Sequence, residues 1–102
     1  MGNVKIAANQ LHRGLALRTV SEAEPVGASV ELIRTVFKQH GYDFEKNEVM
    51  AICRYLEGKG LINISNSNNS VLGISRFIST ITPKGIDVLE GTVQVEGIEL
   101  EG

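Results

Sequence analysis

Residues 47–64 read NEVMAICRYLEGKGLINI. Val49, Ile52, Cys53 and Leu56 recur at three- and four-residue steps, so on a helix they share one face. Gly60 is a favourable residue for ending that helix. Residues 61–65, LINIS, then alternate apolar and polar side chains as a half-buried strand does. A helix thus runs through a glycine into a strand with almost no linker, which limits the folds open to the chain.

Upstream, the helix begins near Glu45. With Glu45 as N-cap, Phe44 falls at N′ and Val49 at N4, the spacing of a hydrophobic staple, and Glu48 at N3 reaches back to free N–H groups. Asp43 is an alternative start, since glutamate is not a favoured cap. Before it, Ser29 is expected to cap a second helix whose Val30, Ile33, Val36 and Phe37 form an apolar face. Gly41 ends that helix, with Lys38 and His40 in its last turn, where cations suit the helix dipole. A first helix covers residues 4–21 through Val4, Ala7, Ala8, Leu11, Leu15, Leu17 and Val20, although Gly14 inside it costs about 1 kcal/mol relative to Ala. Residues 22–28, EAEPVGA, break the pattern, because Pro25 disfavours helix at Glu24 and Gly27 loosens the chain.

Downstream, the polar cluster NSNNS at 66–70 predicts a turn. Residues 76–82, RFISTIT, alternate again and place Phe77, Ser79 and Ile81 on one side, with Ile78 and Thr80 on the other. The two strands are expected to pair as an antiparallel hairpin, with residues 71–75 entering the second strand or bending into it around Gly73. Thr82 as N-cap, Pro83 at N1 and Gly91 past the end delimit a short fourth helix carrying Ile86, Val88 and Leu89. The expected division is a folded domain over residues 1–91 and an acidic tail over 92–102, the latter an extended arm or a frayed terminus.

The whole chain has 102 residues, 42% hydrophobic and 22% charged, which fits one globular domain and lies far from a disordered composition. No apolar run approaches the roughly 20 residues that span a bilayer, and the N-terminus lacks a secretory h-region. The chain is therefore expected in the cytoplasm, with no membrane partner. Cys53 stands alone and lies on the apolar face, as a small core residue does. His12 and His40 are too far apart in sequence to make a metal site. There is no P-loop, no paired-histidine motif and no Ser-His-Asp spacing, so neither an enzyme nor a cofactor is expected.

Helix, helix, tight turn, helix and β-hairpin resemble the winged helix-turn-helix order. RYLEGKGLINI (54–64) looks like the end of a recognition helix entering the first wing strand. TITPKGIDVLEG (80–91) resembles the Leu-Thr-x-x-Gly-x-x-x-Leu segment with which many bacterial winged-helix regulators leave the wing. From RGLALRTV (13–20) to TPKGIDVLEGTVQVEGI (82–98), the layout is similar to that of small winged-helix proteins of Mu-like phages and prophages. The resemblance implies a mainly α chain with a β-hairpin (α+β), built from a three-helix core, a two-stranded wing and a short C-terminal helix. It also implies a phage or prophage transcription regulator acting in a bacterial host cell. In that family the third helix follows a Ser and carries several arginines. Here Glu45 and acidic or neutral residues hold those places.

On the resulting frame, the solvent face of the third helix carries Lys46, Asn47, Met50, Ala51, Arg54 and Gly58. Asn47 suits an adenine edge, Arg54 the O6 and N7 of guanine, Lys46 a phosphate, and Met50 or Ala51 a thymine methyl. In the wing, Asn66, Asn68 and Asn69, with Ser67, suit phosphates or a minor-groove edge, and Arg76 the DNA backbone. Arg13, Arg18, Arg34 and Lys38 offer a further basic side for backbone contacts. Tyr55 is expected to cap the edge of the core.

Double-stranded DNA is the expected partner, bound by a homodimer whose pairing segments are the first helix and the apolar residues Val93, Val95 and Ile98. Charge weighs the other way. Net charge is −2, and residues 41–60 hold three cations against four carboxylates, whereas phosphate binding favours a cationic surface. The acidity is concentrated at the end, where residues 83–102 carry one cation and five carboxylates. The alternative is therefore a winged-helix module that binds a phage or host protein, its acidic tail docking on a basic partner. A tail folded over the third helix would instead make DNA binding autoinhibited.

Overall fold

The computed structural model describes residues 2–69 and 74–100, and for 67–69 and 74–75 the backbone alone. Its elements are α1 (Gly2–Glu22), β1 (Ala28–Ser29), α2 (Val30–Gln39), α3 (Lys46–Gly58), β2 (Ile62–Asn69), β3 (Ile74–Ile81) and α4 (Pro83–Leu89). Ala16, Leu17 and Val20 of α1 meet Ile33 and Phe37 of α2 and Val49, Cys53 and Leu56 of α3, all fully buried. Leu61 and Ile62 close the core from the sheet side. Ile52, expected in the same stripe, is half-buried at the edge of this core.

Local signals set the helix ends. The Ser29 hydroxyl accepts the Leu32 N–H at 3.1 Å and caps α2, and the Glu48 carboxylate accepts the Glu45 N–H at 3.0 Å ahead of α3. At the far end of α3, Gly60 adopts φ +76°, a left-handed conformation that side chains resist. This lets the Leu61 N–H reach the Leu56 carbonyl at 3.0 Å and the Gly60 N–H reach the Glu57 carbonyl at 2.9 Å. The pair of bonds is a Schellman closure, and the burial of both Leu56 and Leu61 supplies its apolar contact.

The start of α4 holds the same junction. Thr82 caps α4 by accepting the Gly85 N–H at 3.1 Å, and its hydroxyl donates to the Gly60 carbonyl at 2.7 Å. The Thr82 N–H donates to the Leu61 carbonyl at 3.1 Å. A Cβ on Gly85 would run into that same carbonyl, so glycine is required for α4 to lie this close.

The sheet has three strands in the order β1-β3-β2, all antiparallel, where the sequence predicts only two. The added strand is a two-residue pairing of Ala28 with Ser79 and Ser29 with Ile78, too short to leave an alternating pattern. The asparagine run also departs from expectation. Asn66–Asn69 do not turn but continue β2, facing Phe77 down to Ile74 of β3. Turn preference is a local bias, and pairing along β3 overrides it. The predicted bend around Gly73 lies outside the described residues.

The tail is packed rather than frayed over residues 92–100. The Glu99 N–H donates to the Gln10 carbonyl at 3.1 Å, Arg13 Nη1 donates to the Gly97 carbonyl at 3.1 Å, and Val95 and Ile98 pack against the core. This explains Gly14, which is unfavourable for an isolated helix. A Cβ there would collide with the Glu99 carbonyl. Gly14→Ala is therefore expected to destabilise the fold by about 1–3 kcal/mol despite its better helix propensity, and to loosen residues 92–100. Thermal melting together with hydrogen exchange at the Glu99 amide checks both effects; an unchanged melt with a protected amide would contradict them.

Candidate nucleic-acid interface

α3 is anchored on two sides, by the core stripe beneath it and by the turn in front of it. In that turn Arg34 Nε donates to the Phe44 carbonyl at 2.8 Å, and Phe44 joins an aromatic nest with Phe37, Tyr42 and His12. His12 reaches the nest from α1, its ring edge-on to Tyr42 at 4.6 Å and to Phe44 at 4.9 Å between centroids. The same end of the helix borders a groove between α1 and α3 lined by Asn9, His12, Arg13, Glu48 and Tyr55.

The outer face of α3 leaves Lys46, Asn47, Ala51, Arg54 and Gly58 exposed. Met50 is half-buried and packs against the core, so it offers less surface than the sequence suggests. Lys46, Met50 and Arg54 follow one another at four-residue steps along a single ridge. Arg54 places its guanidinium 5.7 Å from the centre of the Phe77 ring on β3, which brings the ridge against the sheet. In the sheet, Asn66 is exposed opposite Phe77, and Arg76 is exposed opposite Ser67. The side chains of Asn68 and Asn69 lie outside the described residues.

Three cations on or beside the ridge each have a carboxylate next to them. Lys46 Nζ lies 3.2 Å from Glu31 of α2, Arg34 lies 3.9 Å from Glu45, and Arg54 Nη1 lies 3.0 Å from Glu57. A hydrogen bond to its own backbone N–H holds the Glu31 carboxyl below its ordinary range, with Lys46 and then Arg76 adding to the effect. Arg76 of β3 thus acts on Glu31 at the start of α2. The i, i+3 spacing of Arg54 and Glu57 was readable in the sequence; Glu31 and Phe77, which come from other elements, carried no such signal.

Tyr55, expected at the core edge, is half-buried with the Arg13 guanidinium stacked 3.8 Å from its ring centre. Gly97 of the tail also rests against Tyr55. The tail therefore meets the flank of α3 that faces α1 and leaves Lys46, Asn47 and Arg54 exposed. Cys53 is fully buried with the Ser79 side chain hydrogen-bonded to it, and burial pushes its thiol up to about 11. It is a neutral core thiol at pH 7. Among the described residues no group of three or more His, Cys, Asp or Glu side chains is placed to hold a metal ion. Among them, too, no helix is long and apolar enough to cross a membrane.

Three helices carrying an antiparallel hairpin, with α3 leading directly into the hairpin, define a winged helix-turn-helix fold. A solved structure similar to this chain is a PadR family transcriptional regulator from Eggerthella lenta DSM 2243. The two are 24% identical, with a TM-score of 0.60 over 89% of this chain and 80% of the other. That likeness concerns the fold. No protein-family model matches the sequence, and no curated protein matches it.

Burial among the aromatic rings lowers the pKa of His12. The folded chain then binds this proton less readily than the unfolded chain, so stability is expected to fall as pH drops below about 6.5 and to level off below the folded pKa. His12→Phe, which keeps a ring in the nest, is expected to flatten this part of the profile. Denaturant unfolding of both proteins between pH 7 and pH 5 checks it, and parallel profiles would refute it.

Proposed function

We propose that this chain is a DNA-binding winged-helix protein that regulates transcription, acts as a homodimer and originates from a phage or prophage. The observation that carries the reading is the open ridge of α3, where Lys46, Asn47 and Arg54 stand exposed and Arg54 lies beside Phe77 of the wing, next in the strand to the exposed Arg76. An α-helix fits the major groove, and these three side chains supply a phosphate contact, an adenine pair and a guanine pair. Asn66 and Arg76, with Asn68 and Asn69 further along β2, serve the DNA backbone beside it. The phage or prophage origin rests on the resemblance of the sequence motifs.

Pairing of two chains suits a domain this small, since it doubles the groove contacts and sets the half-site spacing. The structure leaves Val4 and Ile6 of α1 exposed, at 78% and 54%, whereas in the tail Val95 and Ile98 pack on the chain's own core and only Val93 of the three is exposed, at 37%. The opening turns of α1 are therefore the better pairing surface.

The carboxylates beside Lys46, Arg34 and Arg54 favour a second reading, a module that binds a phage or host protein and little or no DNA. A filter assay at low salt, on duplexes from the genomic region around the coding sequence, separates the two. Under the first reading the chain is retained, Arg54→Ala weakens the preferred duplex by about tenfold, and Lys46→Ala lowers the slope of log affinity against log salt by about 0.9. Absence of retention, or indifference to Arg54→Ala, favours the second. Replacing Val4 and Ile6 together by Glu is expected to convert the dimer to monomer in analytical ultracentrifugation and to weaken DNA retention. A dimer that survives the double change would move the pairing surface elsewhere.

A further inference from the structure

One side chain of the ridge is held in place by two different elements. Arg54 Nη1 donates to Glu57 Oε1 at 3.0 Å, and its guanidinium carbon lies 5.7 Å from the centre of the Phe77 ring. The helix supplies one restraint and the sheet the other. Both members of the ion pair are solvent-accessible, Arg54 at 52% and Glu57 at 36%, and such a pair contributes little to stability. Its consequence is orientation. A guanidinium carries five N–H donors in a planar fork. Glu57 engages Nη1, and among the described residues no hydrogen bond is made to Nε or Nη2. The Nε–Nη2 edge presents two parallel N–H groups, the geometry that matches O6 and N7 of guanine. The neighbouring carboxylate meanwhile repels phosphate oxygens, which makes this arginine a poor contact for the sequence-independent backbone.

We propose that Glu57 is a specificity-determining positioning residue. By holding Arg54 through Nη1 beside the Phe77 ring, it presents the Nε–Nη2 edge to a single guanine and withholds the guanidinium from phosphate. The inference rests on the DNA-binding reading above and assigns the basis of its selectivity to an acidic residue that otherwise counts against it.

The test selects binding sites from a pool of duplexes with about 20 randomised base pairs, roughly two helical turns, using the wild-type chain, Arg54→Lys and Glu57→Gln. The wild type is expected to enrich a site with a guanine at one position, and Arg54→Lys to lose that preference while still binding. Glu57→Gln is expected to bind the unselected pool about twofold more tightly, having lost a charge that repels phosphate. Its preference for guanine at that one position should fall by about fivefold, the most that an exposed pair of this kind can hold. A thermal melt equal to that of the wild type shows that the variant is folded, and a pair that served only stability would leave the base preference unmoved. Guanine preference in Glu57→Gln within about twofold of the wild type overturns the proposal alone. So does an enriched site with no guanine sensitive to Arg54→Lys. A wild-type chain that retains none of the pool at low salt overturns the DNA-binding reading and this proposal with it.

Discussion

The junction between α3 and β2 is the constraint on which the rest of the molecule depends. Its left-handed glycine turns the chain from helix to strand across three residues, and the Leu56 and Leu61 side chains bury the turn from below. Thr82 bonds to the carbonyls of both Gly60 and Leu61 while capping the next helix. Through its hydroxyl and its backbone N–H, this one residue therefore ties three things together: where α3 stops, where β2 starts and where α4 begins. With these in place, the outer face of α3 lies beside the hairpin, and Arg54 and Phe77 meet.

On the proposed DNA-binding reading, that placement bears on how a weakly charged surface can be selective. Non-specific binding to nucleic acid grows with the number of phosphates neutralised, and here Glu31, Glu45 and Glu57 each take up part of a nearby cation's capacity. Such a face is a poor general polyanion binder. Selectivity for particular bases asks for something different, a few donors held at set positions, and a carboxylate partner helps there rather than hinders. Under that proposed reading, the same acidic residues lower one kind of affinity while ordering the groups that serve the other.

Much of the fold was legible in the sequence because its signals were local. Ser29, Thr82 and the glycines after each helix act through the few residues beside them, and the Val49, Cys53 and Leu56 stripe obeys a simple period. What was not legible depended on distant partners. The two residues of β1 become a strand only because β3 runs past them, and the asparagines of β2 extend only because β3 pairs with them. Gly14 read as a weakness until the carbonyl of Glu99 was found against it. At the candidate interface, sequence identified Lys46, Asn47 and Arg54 as outward-facing through helical period alone. It overestimated Met50, whose side chain turns partly inward, and it had no means of pairing Lys46 with Glu31 across two helices.

The carboxylate of Glu24 accepts the N–H of Ile81 at 3.1 Å. β1 covers only the stretch of β3 at Ile78 and Ser79, so Ile81 would otherwise present a bare amide at the margin of the sheet. Unpaired strand margins are templates on which other chains add and precipitate. By ending the ladder with a charged side chain instead of another strand, the loop before β1 occupies the amide that an added strand would need there.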